Sequence, residues 1–194
     1  MIIIFEGRHT GGEKLYRKIH IMGAAGAGTS TLGASLSDAL PHKHLDTDDY
    51  FWITKFTEQR QVSERRKMLT KDLSQNGNWI LSGAVCGWGD TFKDCFDLVI
   101  FLWIPSNIRL ERLRQREFQR YGKEILAGGS KYEQSNTFLK WASLYDNGGM
   151  DVRSKTLHEH WMEDLTCPIL RIEGDYTVSE RVDMVLDYLN YRKG

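Results

Sequence analysis

The chain is poor in cysteine and carries no excess of either charge. Its three cysteines, Cys86, Cys95 and Cys167, are odd in number and far apart. None sits in a CxxC or Cys/His spacing suited to zinc, so reduced thiols are expected. Lys plus Arg and Asp plus Glu balance at 26 each, for a formal net charge of zero. No global field therefore argues for a nucleic-acid or membrane partner. No apolar run reaches membrane-spanning length. The opening Met1-Ile2-Ile3-Ile4-Phe5 is apolar, but Glu6 and Arg8 follow at once, without the basic leader, length or cleavage site of a signal peptide. The expectation is a cytoplasmic protein. Internal repeats and low-complexity tracts are also lacking.

What is there fits one domain. The 194 residues, 41% hydrophobic and 27% charged, suffice for a full core without disulfides or a structural metal. Residues 1–17 read as an N-terminal extension, an extra edge strand or a disordered arm, ahead of a domain spanning 18–194. Short apolar runs at 18–22, 42–45, 79–83, 98–104 and 168–172 predict strands. Segments 29–40, 58–76, 106–121, 131–146, 153–165 and 178–191 predict helices. The run at 98–104 is continuously apolar, the mark of a strand buried on both faces. Alternation of strands with helices predicts an α/β fold of three layers, a five-stranded parallel sheet with helices on both faces. The loops that follow its strands should gather at one edge.

The most specific motif is Gly23-Ala24-Ala25-Gly26-Ala27-Gly28-Thr29-Ser30-Thr31, placed between a predicted strand and a predicted helix. Glycines let the backbone turn tightly with its N–H groups inward, and the following helix adds its positive end; together these bind polyphosphate. Gly23 and Gly28, with a hydroxyl at Ser30, match the phosphate-loop pattern G-x-x-x-x-G-K-[ST]. Gly23, Gly26, Ala27, Gly28, Thr29, Ser30 and Thr31 are thus the candidate nucleotide-binding residues, with Ser30 at the magnesium-ligand position. Thr29 stands where the pattern has lysine, and a threonine cannot supply that charge. Three explanations stay open: a cation from elsewhere (Lys18 or an arginine of 109–120), slow catalysis, or binding without turnover. A competing reading is a dinucleotide-binding loop, with Gly26-Ala27-Gly28 as its G-x-G and Asp46 about twenty residues on as its ribose ligand. Against it, Thr31 replaces the third glycine. No tyrosine is followed by lysine four residues later.

With that loop, residues 18–190 resemble the P-loop kinases of the adenylate, shikimate and gluconate kinase group. The resemblance implies the P-loop NTPase fold with a helical lid at about 109–130, ATP and Mg2+ as cofactors, and a small metabolite as acceptor. Asp46-Thr47-Asp48 is similar to the shikimate-kinase-type Asp-Thr-Asp. By that likeness Asp46 supports magnesium and Asp48 orients the acceptor hydroxyl; an N-cap cluster is the alternative. Ser82-Gly83-Ala84 falls where the group has a loop that meets the acceptor. Trp88, in the following Gly87-Trp88-Gly89-Asp90, suits either a stacking platform or the core. Segment 109–122 resembles the lid: Arg109, Arg112, Arg116 and Arg120 share one helical face, with Arg112 and Arg116 as the catalytic candidates. Asp175, in Gly174-Asp175-Tyr176, holds the position of the adenine-contacting loop.

The aromatics around Trp141 read as core packing, and His158 and His160, two apart, do not share a helical face to hold a metal. Three functions follow in order of expectation: an ATP- and magnesium-dependent kinase of a nucleotide, nucleoside or sugar-like acid, a nucleotide-binding switch with little turnover, and an NAD(P)-linked oxidoreductase. The expected partners are a nucleotide and a small acceptor, with no nucleic acid and no membrane.

Overall fold

Every side chain from Leu98 to Leu102 is fully buried, and this run forms the middle of a sheet covered on both sides. The computed structural model describes residues 5–6 and 16–191. In chain order the first half comprises β1 (Phe5–Glu6), β2 (Lys18–Gly23), α1 (Thr29–Ala39), β3 (Lys43–Asp46), α2 (Thr47–Phe51), β4 (Trp52–Thr54), β5 (Glu58–Gln59), α3 (Val62–Gln75) and β6 (Trp79–Ser82). There follow β7 (Leu98–Trp103), α4 (Ser106–Tyr121), α5 (Tyr132–Ser143), α6 (Lys155–Glu163), β8 (Ile169–Glu173) and α7 (Val178–Tyr191). Short 3-10 turns lie at Asp90–Cys95, Gly122–Ile125 and Leu144–Asp146.

The main sheet runs β1-β8-β7-β2-β6-β3. Its five strands from β8 to β3 are mutually parallel, and β1 lies antiparallel along β8. The remainder of the N-terminal extension expected over 1–17 falls, up to residue 15, outside the described residues. A dinucleotide-binding sheet sets its first two strands side by side, in the order 3-2-1-4-5-6. Here β6 separates β2 from β3, so Asp46 sits one strand away from the neighbour position that a ribose ligand needs. The oxidoreductase expectation loses its geometric basis.

Alternation along the strands feeds two cores. Ile19, Ile21, Ile100 and Leu102 pack with Leu32 and Leu36 of α1 and Val185 and Leu189 of α7. Met22, Val99 and Phe101 pack on the opposite face with Leu69 of α3 and Trp161 of α6. Because both faces are covered, the strands read as unbroken apolar runs rather than alternating ones. The chain order switches sides around β2, and the crevice that this opens at the carboxyl ends of the strands is where the site is built.

The expected helix at 58–76 is shorter than its sequence suggested. Residues 52–59 instead form the two-stranded hairpin β4–β5, turning through Phe56 at φ 66°, and the helix begins at Val62. The run Glu58-Gln59-Arg60-Gln61 is polar and lacks the apolar period that would locate a helix start. Among the described residues no helix is long and apolar enough to cross a membrane.

Candidate active site

The loop from Gly23 to Gly28 leaves the carboxyl end of β2 and turns into α1. Gly26 and Gly28 take φ of 81° and 89°, left-handed conformations that suit glycine. A Cβ on Gly26 would also stand 2.9 Å from the Arg109 carbonyl oxygen. No side chain caps α1 at Gly28, so the first-turn amides of the helix, which have no partner within it, face the crevice as an anion site. Ala27 is buried, whereas Ser30 and Thr31 are exposed on that first turn.

Asp46 and Asp48 meet this loop from the end of β3 two strands away. One Asp46 oxygen, Oδ1, accepts from the Asp48 amide at 2.9 Å and caps α2. The capping alternative is therefore real, and it occupies only half of the carboxylate. Oδ2 has a long contact of 3.5 Å from Ser82 Oγ, which also bonds His44 Nε2 at 2.8 Å. Asp48 reaches the cleft surface, yet the concave walls exclude much of the water around it. Desolvation pushes its carboxyl above the usual range and the Asp46 charge adds to this, while Arg153, Lys55 and Trp52 oppose it.

One cleft of about 1050 Å³ joins all of these groups. The loop, Asp46, Asp48, Gly83 and Ala84 form its floor and acceptor side. Arg112, Arg116 and Arg120 of α4 line it opposite, and Phe138 and Trp141 of α5 close one end. Tyr176, Thr177 and Val178 wall it at the start of α7. Asp175 stands at the rim and pairs with Arg112 at 2.7 Å, so the turn after β8 and the basic helix are tied to one another.

Several sequence expectations are redistributed. Arg109 does not share the open face of α4: it is fully buried, bonds the Ile104 carbonyl at 3.0 Å and pairs with Asp146. Its helical period with Arg112 and Arg116 is right, but the first turn of α4 packs beneath the loop. Lys18 starts β2, about 17 Å of strand from the loop at its other end, and cannot serve as the missing cation. Trp88 is core, 6% exposed, with Nε1 bonded to the Ala84 carbonyl. Trp141, expected in the core, instead lines the cleft, stacked on Phe138 at 6.0 Å and beneath the Arg153 guanidinium at 5.6 Å. His158 is fully buried on Tyr145, and His160 is exposed beside Glu163, so they form no metal pair. The cysteines are free thiols; burial pushes the Cys86 thiol up to about 12, leaving it protonated.

Two cleft arginines, Arg153 and Arg181, escaped the sequence reading. Arg153 precedes α6, interacts with Asp48 and has its charged form disfavoured by burial. Arg181 lies on α7 and donates to the Ala27 carbonyl of the loop at 2.9 Å. Neither sits in a motif; only the chain's return to the same sheet edge brings them there.

No family model matches the chain. It is 71% identical over 174 residues to Bacillus subtilis (strain 168) "Uncharacterized protein YqaC", covering 90% of this chain and 98% of that protein. It is 27% identical over 115 residues to the cytidylate kinase of Haloarcula marismortui, covering 51% of this chain and 58% of that enzyme. Among solved structures, the shikimate kinase of Acinetobacter baumannii in complex with shikimate aligns over 93% of this chain and 96% of its own, with TM-score 0.57 and 17% identity. The deoxyadenosine kinase of M. mycoides with bound dATP aligns over 89% of this chain and 99% of its own, with TM-score 0.53 and 17% identity. These likenesses are of fold. The chain thus has the P-loop kinase fold, and it belongs to the family of the B. subtilis protein YqaC.

Proposed function

We propose that this protein is an ATP- and Mg2+-dependent phosphotransferase acting on a small metabolite such as a nucleotide, a nucleoside or a sugar-like acid. One observation carries the reading: a single cleft brings the glycine loop, the Asp46–Asp48 pair and the arginines Arg116 and Arg153 together. Phosphoryl transfer needs little covalent chemistry from a protein and much positioning and charge. The glycine-loop amides would hold the nucleotide phosphates. Asp48, partly desolvated, would accept and orient the acceptor hydroxyl, because a carboxyl raised in pKa is a better proton acceptor near neutrality. Arg116, close enough to Asp48 to feel its charge, would meet the transferring group, and Arg112, with Asp175 at the rim, would close over the nucleotide.

The residues present suit magnesium. That ion usually takes one or two protein oxygens and completes its shell with water and phosphate. Asp46 Oδ2 and the exposed Ser30 hydroxyl offer such oxygens, and the described residues hold no larger carboxylate cluster that would mark an all-protein cage. When bound, the ion neutralises charge on the nucleotide phosphates. The fold kinship to shikimate and deoxyadenosine kinases supports the same reading.

Thr29 motivates a second reading, a nucleotide-binding switch with little turnover, because the position lacks a charge that phosphoryl transfer uses. Incubation with γ-labelled ATP, Mg2+ and a panel of nucleotides, nucleosides and sugar acids separates the two. The kinase reading expects label in one acceptor class and none without Mg2+. ATP binding with no transfer across the panel would favour the switch. Stabilisation by NAD or NADP but not by ATP would overturn both.

A further inference from the structure

The loop lacks a lysine, yet a guanidinium lies against it. Arg181, in the first turn of α7, is only 3% exposed. Its Nη1 donates to the Ala27 carbonyl at 2.9 Å and would stand 3.2 Å from a Cβ placed on Gly28. The charge therefore sits at the junction where loop becomes helix, beside Thr29 in the chain. Nε and Nη2 are buried and have no hydrogen-bond partner among the described residues.

Among the described residues Arg181 belongs to no ion pair, and the two acids near enough to influence it are already engaged. Asp175 pairs with Arg112 at 2.7 Å, and Glu180 accepts from the Thr177 amide and hydroxyl at 2.7 and 2.8 Å. Burial disfavours the charged form, and Arg112 adds a like charge. An unpaired buried cation is costly, and a structure keeps one where a ligand supplies the counter-charge. Arg181 lines the same cleft as the glycine loop, whose expected ligand is a polyphosphate.

We infer that Arg181 supplies, from the last helix, the positive charge that Thr29 does not, so that the nucleotide phosphates are held by a cation 152 residues further along the chain. A guanidinium has donors to spare for this: one stays on Ala27 while the others turn to a phosphate oxygen. The inference rests on the nucleotide-binding reading above and is tested separately from it.

The test compares ATP and adenosine binding by calorimetry in the wild type, Arg181→Met, Thr29→Lys and the double variant, with thermal unfolding of each without ligand. A wild type that binds no ATP overturns the nucleotide reading itself. Given wild-type binding, Arg181→Met should weaken ATP at least about tenfold and leave adenosine within about twofold. Without ligand it should melt at the wild-type temperature or higher, since an uncompensated charge has been removed. Thr29→Lys should restore most of the lost ATP affinity in the Arg181→Met background, yet be neutral or harmful alone, where it crowds a second cation onto the loop. Unchanged ATP binding in Arg181→Met, or equal losses for ATP and adenosine with a lower melting temperature, would overturn the inference. If Arg181→Met does not fold, Thr29→Lys alone still decides: a gain of about tenfold or more in ATP affinity would mean that no cation had filled the place.

Discussion

Arg109 and Asp146 form an ion pair beneath the phosphate loop, and between them they hold three parts of the chain together. Arg109 also bonds the Ile104 carbonyl at 3.0 Å and reaches the Ala25 carbonyl at 3.5 Å, while Asp146 accepts from Trp103 Nε1 at 2.8 Å. The end of β7, the start of α4 and the glycine loop are thereby fixed relative to one another. Removal of Asp146 leaves the Arg109 charge buried and unmatched, which costs about 3–5 kcal/mol, whereas removal of Arg109 leaves a carboxylate that is 20% exposed. Asp146→Leu should lose about that much in denaturant unfolding, and Arg109→Met less, because the orphaned carboxylate reaches solvent. The double variant should lose clearly less than the sum, because it leaves no orphan charge. A fully additive double variant would mean that the pair is not a coupled unit.

Asp48 should carry a stability cost that its neutral analogue relieves. Its carboxyl is pushed upward mainly by desolvation in the cleft, then by Asp46. For an acid whose folded pKa exceeds its unfolded value, the folded state binds more protons, so stability falls as pH rises through that window. Asp48→Asn should therefore melt above the wild type near neutral pH without ligand, and the advantage should vanish well below pH 4, where the wild-type carboxyl is protonated in both states. The same variant should keep ATP binding and lose roughly 10²- to 10⁴-fold in turnover. Turnover retained in Asp48→Asn would remove Asp48 from the chemistry.

How the fold and site came to be legible follows from where their information lies. The glycine loop, the buried run at Leu98–Trp103 and Asp46-Thr47-Asp48 are local patterns, and each proved to sit where its neighbours in sequence implied. The cation beside the loop is not local: Arg181 and Ala27 are 154 residues apart, and only the return of α7 to the sheet unites them. Trp88 and Trp141 show the same limit. Trp88, open in the sequence between stacking platform and core, is core, and Trp141, expected in the core, lines the cleft; packing between distant segments decides both. The hairpin Trp52–Gln59 left no alternating apolar signature because its strands are only three and two residues long and the second, Glu58–Gln59, is polar.

Two buried histidines set an acid limit on the fold. His20 lies on the sheet, bonded to the Leu81 carbonyl at 2.9 Å, with desolvation lowering its pKa to about 4. His158 bonds the Tyr145 hydroxyl at 2.9 Å, and desolvation, helped by Arg153, lowers it to about 3. Both stay neutral in the fold while the unfolded chain takes up protons below about pH 6.5, so their contribution is complete above that pH and is lost as pH falls toward the folded values. Each should add about 1.4 kcal/mol per pH unit to the slope within its window. Urea unfolding at pH 7, 6 and 5 should show this slope, and His158→Asn should flatten it by roughly that amount. An unchanged slope in the variant would mean that His158 is already charged in the folded protein.

Arg116 should act on the transition state rather than on nucleotide binding. It projects from the exposed face of α4, into the cleft and within electrostatic reach of Asp48, with no ion pair among the described residues. Its neighbours are otherwise engaged: Arg112 with Asp175 at 2.7 Å, and Arg120 with Glu117 at 3.1 Å and over the Phe56 ring at 4.1 Å. A guanidinium held free beside the proposed acceptor base is placed for charge that develops only during transfer. Loss of an interaction made only in the transition state lowers kcat and kcat/KM together and leaves ground-state binding alone. Arg116→Ala should then reduce kcat roughly 10²- to 10³-fold while the Kd for ATP stays within about threefold. Arg116→Lys should recover only part of the loss, because an ammonium cannot present the planar fork to the transferring group. A KM effect at unchanged kcat would instead make Arg116 an acceptor-binding residue.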